Sequence, residues 1–166
     1  MTAINGKACV VDGVPVDKVF SNGKQVYGRN LINGSYASSW SFAISGDNAT
    51  VQKVTMDSGE VALHVIANGD RPGFWCHPNL PSSGIYTISV EVKGTGIVNE
   101  LGWEYISSES MQPTDDWQRV SRTASLKNDS WYAFVFYGIM DVYVKLMKLE
   151  QGDISTPYSP APEDVM

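Results

Sequence analysis

A short predicted strand with the sequence GFWCH, preceded by an arginine, carries side chains that suit ligand binding. Strand alternation puts Trp75 and His77 on one face and Phe74 and Cys76 on the other. With Arg71 close by, the first face offers a flat ring beside groups that form hydrogen bonds. Such a set can bind a ligand that has an apolar side and a polar rim. The alternative is that Trp75 belongs to the core and His77 begins a loop.

Three other aromatic residues are candidates for the same kind of contact. Trp103 lies in a predicted strand at 97–106, where Leu101 on the same face favours a core position instead. Trp131 begins an aromatic strand and is expected at a loop edge. Tyr137 ends that strand, and it faces outward if the bulky residues at 132, 134 and 136 form the core.

Polar candidates come from the solvent faces of three predicted strands. His64 lies opposite the apolar face of residues 61–67, where a solvated surface histidine is the alternative. Glu91 lies on the polar face of the clearest alternating strand, at 85–93. Glu104 faces outward if Trp103 faces inward.

Sequence signatures of catalysis are absent. There is no Gly-x-Ser-x-Gly, phosphate-binding loop, His-Glu-x-x-His or Cys-x-x-Cys motif. A glycosidase needs two carboxyl groups about 5–5.5 Å or about 6.5–9.5 Å apart. Glu91 and Glu104 could supply such a pair, but any two acids on an exposed sheet fit equally well. We therefore predict that the protein is not an enzyme.

Composition and charge exclude several classes of partner. The 166 residues carry a net charge of −6, which gives no basic surface for nucleic acid or anionic lipid. No apolar run approaches the roughly 18 residues of a membrane helix, and residues 1–12 show no secretory signal. Cys9 and Cys76 are too few for a disulfide framework, so we expect ordinary buried thiols.

The pattern of short apolar runs predicts an all-β chain in two parts. Residues 1–28 contain Asn-Gly or Asp-Gly dipeptides starting at 5, 12 and 22, which suit two-residue hairpin turns. This piece reads as a small β-meander that is too small to form a core alone and must pack on something larger. Residues 29–166 hold about eight to ten short strands separated by turn residues, which indicates a β-sandwich of the jelly-roll type.

The strands near the end of the chain have the strongest apolar character. Runs at 131–137 and 142–149 are rich in aromatic and β-branched residues, and Gly138 is expected to separate them. Gly152 and the prolines at 157, 160 and 162 then end the sheet, because proline cannot donate to a strand ladder. Such apolar strands are expected in the middle of the core.

Four stretches resemble the jelly-roll carbohydrate-binding modules in tail proteins of phages that infect Gram-positive bacteria. They are RNLI at 29–32, YTISVEVKG at 86–94, WQRVS at 117–121, and the closing signature of KLEQG at 148–152 with TPYSPAPED at 156–164. Bacterial modules that bind xylan and β-glucan are related in pattern. The resemblance implies a virion component that contacts saccharides of the host cell wall.

This resemblance suggests a ligand for the candidate residues. A pyranose has an apolar C–H face that an aromatic ring covers, and hydroxyl groups that polar side chains bind. The predicted ligand-binding residues are Arg71, Trp75, His77, His64, Glu91, Trp103, Glu104, Trp131 and Tyr137. Related jelly rolls often hold a structural calcium ion between an early loop and the closing strand, although no Asp-x-Asp-x-Asp-Gly loop is present. No other cofactor is expected.

The first functional hypothesis is a non-catalytic saccharide-binding protein of a phage tail or baseplate that acts at the host cell surface. Residues 1–28 would dock it on other tail proteins or join several copies, which would add avidity. A homotrimer is one such arrangement, and no sequence feature counts the subunits. The second hypothesis is a structural protein of tail assembly or decoration without affinity for sugar. The third is a cell-wall hydrolase.

Overall fold

The computed structural model describes residues 7–32, 41–69 and 71–165. The regular secondary structure of these residues is β-strand, apart from one 3-10 helix at Pro162–Asp164. The strands are β1 (Val10–Val11), β2 (Val14–Pro15), β3 (Lys18–Ser21), β4 (Lys24–Gly28), β5 (Ala43–Ser45), β6 (Ala49–Thr55), β7 (Val61–Ala67), β8 (Gly73–Cys76), β9 (Gly84–Trp103), β10 (Ser107–Met111), β11 (Gln118–Leu126) and β12 (Phe134–Gln151). The predicted all-β class is confirmed.

Two long antiparallel strands, β9 and β12, organise the sheet as a ribbon. At the start of β12, the ribbon carries β8 and then β5 on one side and β10 on the other. Beyond the middle of β12, it carries β7 and then β6 on one side and β11 on the other. The closing strand is therefore central, as its apolar sequence predicts.

The ribbon of β9 and β12 bends so that its two ends face each other. Cys76 is the cross-strand partner of Phe134, yet its Sγ atom lies 3.9 Å from Sδ of Met147. A straight strand would separate residues 134 and 147 by about 43 Å. The two halves of the ribbon therefore form the two layers of a jelly-roll sandwich around one core.

Glycines lie at the bend of the ribbon. Gly94 and Gly96 have φ angles of 139° and 96°, and a Cβ atom on Gly138 would overlap the backbone oxygen of Ile97. The prediction that Gly138 separates two strands is wrong, and so is the division of β9 into separate strands at 85–93 and 97–106. Both strands continue through these glycines, because the missing side chains let the two backbones approach each other.

The inner side of the ribbon forms the hydrophobic core. Its buried residues include Leu63, Val65, Phe74, Tyr86, Ile88, Val90, Val92, Leu101, Trp103, Phe134, Phe136, Val142 and Leu149. Trp103 is fully buried and meets Phe134 edge to face, with ring centroids 6.4 Å apart. The prediction that Trp103 contacts a ligand is therefore wrong. Its alternative, a core position shared with Leu101, is the observed one.

The N-terminal segment forms two separate hairpins. Asp12 and Gly13 connect β1 to β2, and Asn22 and Gly23 connect β3 to β4, all with positive φ angles as the turn dipeptides predict. The predicted turn at residues 5 and 6 lies outside the described residues. The described part of the chain has no helix that is long and apolar enough to cross a membrane.

A buried polar cluster joins this segment to β12 and to the end of the chain. Lys148 and Glu150 are fully buried, with Nζ and Oε1 3.4 Å apart. Lys148 Nζ donates hydrogen bonds to Oγ1 of Thr156 and to the backbone oxygen of Pro157, both at 2.8 Å. The backbone N–H groups of Thr156 and Gly28 donate to Glu150 and to Thr156 Oγ1. We call these five residues the closing cluster.

Candidate ligand-binding face

The outer side of the sheet half that contains β10, β9, β12, β8 and β5 carries most of the predicted site residues. Trp75 is the cross-strand partner of Val135, and it packs with Val135, Ala133 and Tyr137 on the side opposite the core. We call this surface the aromatic face. It consists of Arg71, Trp75, His77, Glu100, Glu104, Tyr105, Trp131 and Tyr137.

Three rings form a corner at one end of the aromatic face. Trp131 stacks on His77, with centroids 5.0 Å apart and planes 18° apart. Trp75 meets Trp131 edge to face at 5.5 Å and 69°. His77 Nδ1 donates a hydrogen bond of 2.6 Å to the backbone oxygen of Tyr132, which fixes the imidazole. His77 covers one side of Trp131, whose side chain is still 59% exposed, so the other side of the indole is open to a ligand.

Arg71 organises a second part of the aromatic face. Its guanidinium lies 5.2 Å from the ring centroid of Tyr137 and 5.5 Å from that of Tyr105. It also donates hydrogen bonds to Glu100, at 3.2 Å, and to Glu104. Two carboxylates against one guanidinium leave this group with a formal charge of −1, which disfavours an anionic ligand.

Tyr137 lies beneath Arg71 and is 4% exposed, whereas Tyr105 is 86% exposed. Burial raises the pKa of Tyr137 above its ordinary value of 10.0, and Glu104 acts in the same direction. The hydrogen bond with Ser45 and the charge of Arg71 lower the pKa without reversing the shift. The phenol therefore stays protonated at neutral pH.

The structure brings together most of the predicted site residues, but not all of them. The residues that meet on the aromatic face are Arg71, Trp75, His77, Glu104, Trp131 and Tyr137. His64 and Glu91 instead lie on the outer side of the other sheet half. His64 contacts Asp141, and Glu91 contacts Lys145.

Two residues of the aromatic face, Tyr105 and Glu100, were not among the predicted ligand-binding residues. Alternation from Trp103 would place Tyr105 on the core side, but its φ angle of 60° places it in a left-handed turn that redirects its ring towards Arg71. No glycine or asparagine marks this turn in the sequence. Alternation puts Glu100 on the same side as Glu104, but its contact with Arg71 could not be predicted, because these two residues are distant in the chain.

The carboxylate pair considered from the sequence, Glu91 and Glu104, does not come together on the aromatic face. Glu91 pairs with Arg119 and Lys145, whereas Glu104 pairs with Arg71, so these two carboxylates belong to separate networks. Burial raises the pKa of Cys76 to about 12, so its thiol is not a nucleophile at neutral pH.

The oxygens of the closing cluster surround a lysine of the protein itself and not a metal ion. In the described part of the chain, no group of three or more His, Cys, Asp or Glu side chains is arranged to hold a metal ion. The oxygens of Thr156, Pro157 and Glu150 instead surround the ammonium group of Lys148. Because the ammonium group of Lys148 already lies among these oxygens, they do not form a binding site for calcium.

A cavity of about 260 Å³ borders the aromatic face at His77. Its walls include Leu31, Phe42, Phe74, Cys76 and Met147, which are mainly core side chains. Neither Trp75 nor Trp131, the two tryptophans of the corner, lines this cavity. The open indole of Trp131, and not this cavity, is therefore the stronger candidate for stacking against a ligand.

Comparison with solved structures shows the same fold. The CBM22-1 xylan-binding domain of Xyn10C from Paenibacillus barcinonensis matches with a TM-score of 0.53 and 12% identity, over 78% of this chain and 99% of that domain. TmCBM61, solved with β-1,4-galactotriose, matches with a TM-score of 0.50 and 16% identity, over 75% of this chain and 100% of that module.

The CBM22-1-GH10 modules of endo-1,4-β-D-xylanase 10B from Clostridium thermocellum, solved with xylohexaose, match with a TM-score of 0.54 and 14% identity. The match covers 73% of this chain but spans 27% of the xylanase chain. No protein-family model matches the chain, and no curated protein matches it in sequence. These identities are low, so the likeness concerns the jelly-roll fold of carbohydrate-binding modules.

Proposed function

We propose that this protein is a non-catalytic module that binds saccharides through its aromatic face. The observation that carries the proposal is the open side of Trp131, which meets Trp75 at 69° to form a corner. An indole can cover the apolar C–H side of a pyranose, and a second ring at this angle contacts the edge of the same sugar.

Polar groups that can bind the hydroxyl groups of the sugar lie beside these rings. Arg71, Glu100 and Glu104 supply donors and acceptors that are already held by one another. Preorganised groups of this kind bind a hydroxyl without first paying the entropy of being fixed. The formal charge of −1 on this group favours a neutral saccharide.

The similarity to carbohydrate-binding modules supports this ligand class. The proteins that share the fold include a xylan-binding domain and a module solved with β-1,4-galactotriose. The aromatic face carries outward tryptophans, which a saccharide-binding module needs. A xylan-like or galactan-like chain is thus a reasonable first ligand for testing, and the natural ligand proposed is a saccharide of the host cell wall.

We further propose that the module belongs to a phage tail or baseplate and acts at the host surface. Support comes from the closing signature of residues 148–164, whose Lys148 and Thr156 build the closing cluster. The N-terminal hairpins expose apolar side chains, at 57% for Val11, 65% for Val14 and 60% for Phe20. Such side chains are suited to docking on other tail proteins or on further copies of this chain.

The decisive experiment compares two exposed aromatic residues on a panel of neutral glycans. Trp131→Ala should weaken binding about tenfold, because it removes a stacking ring worth roughly 0.5–1.5 kcal/mol beyond its buried area. Phe20→Ala is the matched control, since Phe20 is equally exposed (60% against 59%) and lies on a separate two-stranded sheet. The proposal would be contradicted if Trp131→Ala bound the glycans as tightly as the wild type does and had an unchanged melting temperature.

The alternative function is tail assembly or decoration without sugar affinity. The exposed apolar side chains of Val11, Val14 and Phe20 are the observation that favours it. In that case the glycan panel would show no binding by the wild-type protein. Phe20→Ala would then impair association with other tail proteins.

A further inference from the structure

A second row of outward side chains crosses the sheet half formed by β6, β7, β12, β9 and β11. The cross-strand partners Gln52 and His64, His64 and Tyr143, and Tyr143 and Lys93 place these residues side by side. Trp117 extends the row, because its ring centroid lies 5.2 Å from Lys93 Nζ. We call these five residues the transverse row. It spans four strand spacings, about 19 Å.

The rings of the transverse row are held in fixed orientations. His64 stacks on Tyr143 with centroids 4.4 Å apart and planes 9° apart. His64 Nε2 also lies 2.7 Å from the carboxylate of Asp141. Lys145 Nζ lies 4.3 Å from the ring centroid of Trp117. The two aromatic rings and the imidazole of the row are therefore preorganised, and the amide of Gln52 lies beside them.

Lys93 is the distinctive member of the row. Its ammonium contacts the rings of Trp117 and Tyr143, at 5.2 and 5.8 Å. Across the described ranges, it forms no ion pair with a carboxylate, in contrast to Lys145, which pairs with Glu60 at 2.7 Å and with Glu91 at 3.9 Å. The charge of Lys93 is thus held in place between two rings without being neutralised by an acid.

Two carboxylates beside the row, those of Asp141 and Glu91, are already engaged in ion pairs. Asp141 pairs with His64, and Glu91 pairs with Lys145 and with Arg119 at 4.0 Å. An anionic group over Lys93 would therefore gain a cation without displacing an existing ion pair. The aromatic face differs in this respect, because both of its carboxylates share the single cation Arg71.

We propose that the transverse row is a second binding site, separate from the aromatic face, for the anionic groups of a polysaccharide. Lys93 pairs with a carboxylate or phosphate of the chain, while Tyr143, His64 and Gln52 contact neighbouring sugar units. Asp115 and Asp116 precede Trp117 in the chain, so we expect the anion to bind nearer to Tyr143 than to this end of the row. The site does not depend on saccharide binding at the aromatic face.

The test measures binding of the full chain to two anionic polymers, a polyuronate and a poly(glycerol phosphate), with neutral xylan as comparator. Lys93→Gln should weaken binding of at least one anionic polymer about five- to tenfold, because it removes a charge-assisted contact. Lys93→Arg should retain binding, since it keeps the charge. The polymer that is affected identifies carboxylate or phosphate as the group recognised.

Lys127→Gln is the matched control, because it removes the same charge from an exposed lysine in the loop before β12. An equal loss in Lys127→Gln and Lys93→Gln would overturn the proposal, since it would show a general effect of net charge. The proposal is also overturned if neither anionic polymer binds the wild-type chain. Trp131→Ala should leave anionic binding unchanged, so a loss there would place the anion on the aromatic face and overturn the second site.

Discussion

The indole rings of Trp75 and Trp131 meet edge to face, with centroids 5.5 Å apart and planes at 69°. Trp75 is fixed in β8 opposite Val135, whereas Trp131 lies in the loop that precedes β12. A flat ligand surface cannot contact both rings face to face at this angle. The corner therefore fits the end or the side of a single saccharide chain.

This geometry predicts coupled contributions of Trp75 and Trp131 to binding. Each single alanine substitution should weaken saccharide binding, and the double substitution should cost less than the sum of the two, because both rings contact the same sugar. Calorimetric titration of the four proteins in a double-mutant cycle would measure a coupling free energy of about 0.5–3 kcal/mol. Additive losses would show that the two rings act on separate ligand units.

Substitution of Trp103 should lower the stability of the protein far more than substitution of Trp131. Its ring is fully buried against Phe134, so Trp103→Ala should lower the free energy of unfolding by about 3–5 kcal/mol through loss of core packing. Urea unfolding followed by tryptophan fluorescence would measure this loss. Trp131→Ala, by contrast, should change stability by less than about 1 kcal/mol, because most of its ring already faces water.

Strand alternation predicted much of the aromatic face from the sequence. It assigned Trp75 and His77 to one side of β8 and Phe74 and Cys76 to the other, and these assignments agree with the observed core. Alternation works here because the short strand has no bulge. The same pattern could not show that Arg71 covers Tyr137, since this contact joins a loop to a strand 66 positions later.

The sequence was less informative where the backbone leaves regular strand geometry. Leu146 has a φ angle of 53°, in the part of β12 where its pairing with β9 shifts register between Lys145 and Lys148. Strict alternation from Val142 and Val144 would place Lys148 on the core side, but the shift puts Met147 and Leu149 there instead. Lys148 therefore turns to the outer side, where the chain beyond β12 covers it. A buried lysine could not be predicted, because its partners at 156 and 157 come from an irregular segment.

Removal of a single charge from the closing cluster should strongly destabilise the protein. Lys148→Met should lower the free energy of unfolding by about 3–5 kcal/mol, because it leaves the carboxylate of Glu150 buried without its cation. The double variant Lys148→Met with Glu150→Gln should recover part of this loss, since it removes both charges. Chemical unfolding at neutral pH would measure both effects. A double variant that is less stable than Lys148→Met would show that Glu150 acts mainly through Thr156.

Calcium chelation should leave the protein unchanged. The ammonium of Lys148 lies among the oxygens of the closing cluster, so we expect the melting temperature to be the same with calcium and with a chelator. Differential scanning calorimetry under both conditions would measure this. A clear loss of stability in the chelator would show that a metal ion binds elsewhere in the chain.

The closing cluster also predicts how stability depends on pH. Burial lowers the pKa of Lys148 from its ordinary value of 10.5 to about 8, although the charge of Glu150 opposes this shift. Between these two values the unfolded chain holds a proton on Lys148 that the folded chain has released. The contribution of Lys148 to the free energy of unfolding should therefore rise with pH in this window, by at most about 1.4 kcal/mol per pH unit. Below pH 8 this contribution should be flat, because both states are protonated.

Urea unfolding of the wild type between pH 7 and pH 10.5 would test this slope. The double variant Lys148→Met with Glu150→Gln is the reference, because the titration of all other groups cancels in the difference between the two proteins. The difference should stay constant up to about pH 8 and then grow in favour of the wild type. Parallel curves over the whole range would show that Lys148 keeps its ordinary pKa, and that the oxygens of Thr156 and Pro157 offset the cost of its burial.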